Sequence, residues 1–196
     1  MTNLIVLKFH IALFLIFSVF FVHQLHAEEY RVYEPTQYGL SGVLGYTYDP
    51  SSDDIYFTQI SLCALYDYDR IWRHPAPEAL RFKIEGSAGL AFPDSGTSRL
   101  ITSANILALY YLNFWTGKNI KPYVEAGIGV IYTDYTVEGQ AYRFNFNPQA
   151  GFGIEIQRKT GQTNFLTLRM HHLSNGGLND DNRGQNSVVL MLGQYF

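Results

Sequence analysis

The sequence contains a single cysteine, few charged residues and no strong excess of charge of either sign. One cysteine excludes an intramolecular disulfide and a metal site built from several thiolates. Cys63 lies in the apolar run ISLCALY, which favours a small packed residue over a catalytic thiol. Charged residues make up 16% of the chain and the formal net charge is −3. This balance gives no basic surface for nucleic acid, so we expect no nucleic-acid partner.

Long apolar runs are also scarce, and the one that exists lies near the N-terminus. Residues 11–22 read IALFLIFSVFFV, with Lys8 and His10 before them and the small residue Ala27 shortly after them. A positive start, a short apolar core and a small residue at the end are typical of a secretory signal peptide. We therefore predict a signal peptide over residues 1–27.

The alternative for this segment is an uncleaved anchor helix from Leu4 to Val22. The charged and polar residues within that span interrupt it, and a membrane-spanning helix needs about 20 apolar residues. No cysteine directly follows the apolar run, which argues against a lipoprotein anchor. The mature protein is accordingly predicted to be one domain, residues 28–196.

The mature chain has no clear helical periodicity, and its apolar residues alternate with polar or small ones instead. Residues 144–157 show the pattern best, and residues 80–92 and 123–132 repeat it. In the first of these segments one face carries Phe144, Phe146, Pro148, Ala150, Phe152, Ile154 and Ile156, and the other carries Asn145, Asn147, Gln149, Gly151, Gly153, Glu155 and Gln157. Such segments are predicted to be strands with one apolar face.

About eight such segments follow one another between turn-like stretches, and the chain ends on Tyr195 and Phe196. The segments lie near residues 37–48, 55–67, 79–92, 98–112, 120–132, 142–157, 163–174 and 185–196, and the fourth alternates least clearly. An even number of strands of roughly 10 residues is typical of bacterial outer-membrane barrels. We therefore predict an all-β fold, an eight-stranded antiparallel transmembrane β-barrel in the bacterial outer membrane.

Periodicity alone also fits a water-soluble β-sandwich, which buries the apolar face instead of exposing it to lipid. The signal peptide and the aromatic residues at strand ends favour the barrel. So do the charged residues on the face that carries the small residues: Arg81, Lys83, Glu85, Glu125, Glu155 and Arg169. Because an eight-stranded barrel has room only for side chains, these charges are predicted to form a packed internal ion network and not a pore.

Polar residues converge at the end of the seventh predicted strand. The alternation of NFLTLRMHHLS places His172 and Ser174 on the outer face and His171 inside. In the last strand Asn186 falls on the same outer face, so a hairpin of the two strands brings it close to His172 and Ser174. With both termini in the periplasm, this group lies at the extracellular rim and meets the outer leaflet. The alternative interpretation is that these are ordinary polar residues at the rim that only contact solvent.

The segment His172-Leu173-Ser174-Asn175-Gly176-Gly177, followed by NRGQNS and an aromatic terminal strand, resembles the lipid A 3-O-deacylase (PagL) family. The resemblance implies an outer-membrane serine esterase that removes the ester-linked 3-O-acyl chain from the lipid A of lipopolysaccharide, without metal or cofactor. It further implies that Ser174 is the nucleophile, that His172 is the base, and that the Asn175 side chain and the Gly177 N–H form an oxyanion hole.

One position departs from the family pattern, because Asn186 stands where the family has a glutamate that orients the histidine. An amide fixes a histidine tautomer but does not stabilise the imidazolium as a carboxylate does. Asp180 and Asp181 in the preceding loop are alternative third members. A non-catalytic small barrel with a structural, adhesive or protective role is the alternative function. The sequence leaves open the acyl-chain preference, latency in the protein's own membrane and the oligomeric state, a homodimer included.

Overall fold

The computed structural model describes residues 35–49, 54–93, 96–113 and 119–196, so the predicted signal peptide lies outside the described residues. The described elements are nine strands and one short helix. In chain order they are β1 (Gln37–Asp49), β2 (Ile55–Asp67), α1 (Tyr68–Trp72), β3 (Leu80–Phe92), β4 (Arg99–Tyr111), β5 (Ile120–Thr133), β6 (Phe144–Phe146), β7 (Gln149–Gln157), β8 (Thr163–Leu173) and β9 (Gln185–Tyr195).

The strands close into an eight-stranded antiparallel barrel, which confirms the predicted fold class. Sequential strands pair with each other, and β1 pairs with β9 to close the sheet. β6 and β7 are two parts of one wall strand, separated by Asn147 and Pro148. Proline has no N–H to donate to a ladder, yet Gly129 and Asn147 still exchange backbone hydrogen bonds and the Pro148 carbonyl accepts from His172 N–H. The wall is therefore continuous at the level of His172.

The outer face of the barrel carries exposed large apolar side chains along every strand, as the alternation predicts. Aliphatic residues such as Leu44, Ile60 and Leu192 lie in the middle of the wall. At the end that carries the β8–β9 loop, Tyr46, Tyr56 and Phe92 are neighbours across three strands. Exposed aromatic residues at the opposite end are Tyr38, Trp72, Tyr110 and Phe196. An apolar band between two aromatic girdles is the outer surface of a barrel that sits in a bilayer.

The centre of the barrel is filled by the predicted ion network. Arg169 donates to both carboxylate oxygens of Glu85, at 2.7 and 2.8 Å, and also to Glu125 and, at 2.8 Å, to Gln149. Lys83 donates to Glu125 as well. All five side chains are buried. Because each charge has an opposite partner, the prediction of a packed network is confirmed for these residues.

The other two charged residues of the predicted network lie nearer the end of the barrel away from the β8–β9 loop. Buried Glu155 accepts a hydrogen bond from Tyr111 Oη at 2.6 Å. Arg81 is partly exposed and pairs with Asp67 at 3.1 Å. Both take part in polar contacts, but their partners differ from those of the central network.

Apolar layers lie inside the barrel on both sides of the ion network, which alternation did not predict. Near the β8–β9 loop, Tyr135 and Val137 from the β5–β6 loop pack on inward strand residues such as Ile101 and Leu173. Burial also raises the pKa of the Tyr135 phenol, which therefore stays protonated. β4 alternates weakly because Ile101, Leu107 and Leu109 are apolar residues on its inner face.

The stretch between β2 and β3 contains a short helix where the sequence indicated only a turn. Trp72 at the end of α1 makes an edge-to-face contact with Phe82 of β3, with ring centroids 5.6 Å apart. Cys63 is buried against Phe165 and Tyr195, so it is the packed residue that was predicted. In the parts of the chain that the structure describes, no helix is long and apolar enough to cross a membrane.

Candidate active site

His172 and Asn186 face each other across the last hairpin of the barrel. The β8–β9 register pairs the two residues directly, and both side chains are half-buried on the outer wall. His172 Nδ1 lies 2.7 Å from Asn186 Oδ1, which is a short hydrogen bond. The proximity that the strand phase predicted is therefore present in the structure.

Asn186 has a second partner that the sequence did not reveal. Its Nδ2 donates to Asp49 Oδ2 at 2.8 Å, and Asp49 is the cross-strand neighbour of Asn186 where β1 meets β9, after a register irregularity that begins at Thr47. Asp49 in turn forms an exposed ion pair with Arg183 at 3.8 Å. Only the register between the first and last strands brings Asp49 to this position, and the sequence motifs near His172 give no sign of the contact.

The two contacts of Asn186 determine the tautomer of His172. A carboxylate only accepts hydrogen bonds, so the amide NH₂ faces Asp49 and the amide oxygen faces the imidazole. An amide oxygen also only accepts, so Nδ1 of His172 carries the proton and donates it. In the neutral ring the lone pair is then on Nε2, the atom that a general base uses to take a proton from a serine.

Gly184 provides the space that the His172 ring occupies. Its φ is +77°, a conformation that favours glycine. A Cβ placed there would lie 2.9 Å from His172 Cε1 and 2.9 Å from the Leu173 carbonyl oxygen. Continuing the β8–β9 register by one pair places Gly184 opposite Ser174. The absence of a side chain at Gly184 therefore leaves room for the imidazole beside the serine, a role that sequence reasoning missed.

Ser174 follows β8 directly and is held by a bridge to the neighbouring wall strand. Phe146 N–H donates to the Ser174 carbonyl at 2.8 Å, and Ser174 N–H donates to the Phe146 carbonyl at 3.1 Å. The side chain is half-buried, two residues from His172 on the same face. Over the described residues, no hydrogen bond joins Ser174 Oγ to the imidazole. Such bonds are often formed only once substrate is bound.

The β8–β9 loop, residues 174–184, uses both predicted oxyanion donors in its own structure. Buried Asn175 accepts from Gly177 N–H at 2.9 Å and donates from Nδ2 to the Asp181 carbonyl at 3.0 Å. Its backbone N–H donates to Asn182 Oδ1 at 2.7 Å. The donors are therefore close to Ser174 in the chain, but they are bonded within the loop in this structure.

The β5–β6 loop, residues 134–143, braces the β8–β9 loop. Arg183 N–H donates to the Gly139 carbonyl at 2.9 Å, and Ala141 N–H donates to the Asp181 carbonyl at 3.0 Å. Buried Gln140 accepts from Gly184 N–H at 3.0 Å. The position of Gly184 beside the imidazole therefore depends on a residue that is 44 positions away along the chain.

The remaining acids and the second histidine of this region lie away from the pair. His171 is buried and points inward, as its phase predicted. Asp180 and Asp181 are exposed, and in the described residues neither forms a hydrogen bond with His172. Likewise, no group of three or more His, Cys, Asp or Glu side chains in the described ranges is placed to hold a metal ion.

Comparison with known families identifies the relatives of this barrel. The family model for lipid A 3-O-deacylase (PagL) matches residues 64–194, which is more than half of the chain and includes His172, Ser174 and Asn186. The chain belongs to the lipid A 3-O-deacylase (PagL) family. The predicted family is thus confirmed.

One solved structure agrees with the family assignment, and a second shows the same fold. The crystal structure of the outer-membrane enzyme PagL is 25% identical, with a TM-score of 0.54, and the match covers 79% of this chain and 97% of that one. Neisserial surface protein A (NspA) is 15% identical, with a TM-score of 0.60 and coverage of 81% and 94%, and it shares the barrel fold. A search of curated proteins found no match.

Proposed function

We propose that this protein is an outer-membrane serine esterase that removes the ester-linked 3-O-acyl chain from lipid A. Ser174 is the nucleophile, His172 is the general base, and Asn186 orients the imidazole. The observation that carries the proposal is the hydrogen bond from His172 Nδ1 to Asn186, because it leaves Nε2 as the basic atom two residues from a serine on the same face. Membership of the PagL family supplies the substrate class.

The position of the group on the wall supports an acyl ester in the outer leaflet as substrate. Along β9, Asn186 is the next outward residue after Val188, and Val188 pairs with Tyr46 of the aromatic girdle. The polar group thus lies one step beyond the girdle, where headgroups meet acyl chains. Exposed Met170 and Leu168 continue the outward row of β8 toward the middle of the wall. An ester near Ser174 therefore directs its acyl chain along an apolar surface.

The chemistry that follows is acyl transfer through Ser174. As the Ser174 oxygen bonds to the acyl carbonyl carbon, its proton moves to His172 Nε2 and the carbonyl electron pair moves to oxygen. Collapse of this intermediate breaks the bond to the sugar oxygen, which takes the proton from Nε2. Water then repeats the sequence on the acyl-enzyme, releases a hydroxy fatty acid and restores the serine.

Asn175 and Gly177 are proposed to donate to the developing oxyanion. In the structure Gly177 N–H is bonded to the side-chain oxygen of Asn175, so the substrate oxyanion would replace that oxygen as acceptor. The Asn175 amide would likewise exchange the Asp181 carbonyl for the oxyanion. Each such donor is typically worth about 100- to 1,000-fold in rate.

The second candidate function is a non-catalytic barrel with a structural, adhesive or protective role. Two observations favour it: an amide in place of a carboxylate beside His172, and oxyanion donors that are bonded within their own loop. In this case the polar residues are only solvent-exposed side chains at the rim of the barrel, and the protein turns over no substrate.

Mass spectrometry of lipid A from membranes that contain the protein distinguishes the two functions. We expect wild-type protein to remove one ester-linked hydroxyacyl chain, and Ser174→Ala and His172→Ala each to leave lipid A intact while the barrel still shows heat-modifiable gel migration. His171→Ala is the matched control, since this neighbouring histidine faces the interior. If folded wild-type protein also leaves lipid A intact when the two are mixed in detergent micelles, the result would instead support the non-catalytic barrel.

A further inference from the structure

We propose that Asp49 is a positioning residue for this site and that it supplies the carboxylate which Asn186 lacks. The inference rests on the proposed function, since it concerns how His172 is prepared to act as a base. Asp49 lies at the end of β1, more than 120 residues from His172 in sequence, and reaches the histidine only through the Asn186 side chain.

The first role of Asp49 is to fix the orientation of the Asn186 amide. An amide can rotate by half a turn and exchange its oxygen and NH₂ positions at little steric cost. In the rotated state Nδ2 would face His172, Nδ1 would have to accept, and the proton of the neutral ring would move to Nε2. That tautomer cannot take the proton of Ser174. The carboxylate of Asp49 has no hydrogen to donate, so it can bond to the NH₂ of Asn186 but not to the amide oxygen. Its bond with Nδ2 at 2.8 Å therefore holds the amide in the productive state.

The second role is electrostatic. When Nε2 accepts the serine proton, the ring becomes positively charged, and a neutral amide alone compensates that charge weakly. A carboxylate bonded to the far side of the amide polarises it, so that more negative charge resides on the oxygen that faces Nδ1. Arg183 at 3.8 Å and solvent around the exposed Asp49 side chain screen this contribution. The electrostatic part is therefore expected to be smaller than that of a carboxylate in direct contact.

Kinetics of lipid A deacylation by purified barrel in detergent micelles test the proposal. Asp49→Ala should lower kcat about 10-fold, with KM changed less than about 2-fold, because the amide loses its orientation but the outer wall keeps its shape. Glu138→Ala is the matched control, since Glu138 is an exposed acid in the β5–β6 loop at the same rim. It removes the same charge without touching Asn186 and should retain wild-type kcat.

Asp49→Asn tests whether the partner of Asn186 must be a group that only accepts. The new amide carries no charge and can rotate, so it can accept from Asn186 Nδ2 or donate to Asn186 Oδ1, and kcat should lie between those of wild type and Asp49→Ala. Nitrogen NMR shifts of the His172 ring give a readout that general destabilisation does not move. The Nδ1–H tautomer should dominate in wild type, whereas both tautomers should be populated in Asp49→Asn and Asp49→Ala.

A reciprocal exchange gives the strongest test. The wild-type contact between Asn186 and Asp49 is 2.8 Å long. In Asn186→Asp alone, two carboxylates meet at this contact, and their repulsion should disturb the site. The double variant Asp49→Asn with Asn186→Asp restores a donor–acceptor pair and places the carboxylate directly on His172. It should exceed Asn186→Asp alone about 10-fold in kcat and reach at least the wild-type value.

The proposal is overturned if Asp49→Ala keeps wild-type kcat, if Glu138→Ala loses as much activity, or if the double variant is no better than Asn186→Asp. Ser174→Ala, measured in parallel, distinguishes a failure of the Asp49 role from a failure of the proposed function. Full activity in Ser174→Ala would contradict the proposed function itself, whereas an inactive Ser174→Ala with an unaffected Asp49→Ala would contradict only the role of Asp49.

Discussion

At the scale of single residues, the site depends on which atom of each polar side chain faces which neighbour. Asn186 shows this best, because its oxygen faces His172 and its nitrogen faces Asp49. The strand phase in the sequence was sufficient to place His172, Ser174 and Asn186 on one face, since the side-chain period of a strand is two. It did not reveal Asp49, because that contact exists only once the first strand pairs with the last.

Gly184→Ala tests the packing of the His172 ring. A Cβ at this position would approach the ring and the Leu173 carbonyl to 2.9 Å, and the φ of +77° already disfavours alanine. We expect kcat for lipid A deacylation to fall at least about 10-fold as the imidazole is displaced. Gly161→Ala is the control, since Gly161 has a φ of +86° but open space around it. Equal activity of the two variants would exclude a role for Gly184 in placing the ring.

At the scale of elements, two loops act together as one support for the β8–β9 hairpin. The β5–β6 loop packs Tyr135 and Val137 into the barrel and bonds to the β8–β9 loop through Gly139, Gln140 and Ala141. Turn-forming residues predicted that both stretches are loops. Their contacts with each other could not be predicted, because they depend on neighbouring wall strands and not on local sequence pattern.

Gln140→Ala tests the coupling between the loops. The variant leaves the Gly184 N–H without its acceptor in a buried place, which typically costs about 1–3 kcal/mol. Because Gly184 lies against the His172 ring, we expect kcat to fall several-fold, together with the decrease in barrel stability that this cost implies. Gln162→Ala, an exposed glutamine in the turn between β7 and β8, should have no effect on deacylation. A wild-type rate in Gln140→Ala would show that the hairpin holds the ring without the neighbouring loop.

At the scale of the whole molecule, the ion network and the proposed catalytic group lie on opposite faces of the barrel wall. The ion network around Arg169 is inside the barrel, and the polar group with Ser174 is on the outer wall. Alternation and strand count predicted the eight-stranded wall and the internal charges. The apolar layers above and below the network were not predicted, because inward apolar residues such as Ile101 and Leu109 weaken the very alternation on which the prediction depends.

Arg169→Met tests the contribution of the network to stability. The change removes the bidentate partner of Glu85 and leaves Glu85 and Glu125 to share Lys83, so buried negative charge is no longer balanced. Breaking a buried pair in this way typically costs about 3–5 kcal/mol. The measurement is the temperature at which the barrel changes from folded to unfolded migration on a gel. We expect this temperature to fall clearly in Arg169→Met, whereas Ser174→Ala should keep the wild-type value. The same temperature in both variants would mean that the network adds little to stability.

Covalent trapping is the sharpest test of whether Ser174 is a nucleophile that His172 activates. A fluorophosphonate reacts with a serine that an adjacent base activates: the serine oxygen bonds to phosphorus, fluoride leaves, and the serine proton passes to the base. With folded barrel in detergent micelles, peptide mapping by mass spectrometry should find the adduct on Ser174, and His172→Ala should abolish it. Prior incubation with lipid A should slow the labelling. An unmodified Ser174 in folded wild-type protein, or equal labelling in His172→Ala, would contradict the proposed roles of Ser174 as nucleophile and His172 as base.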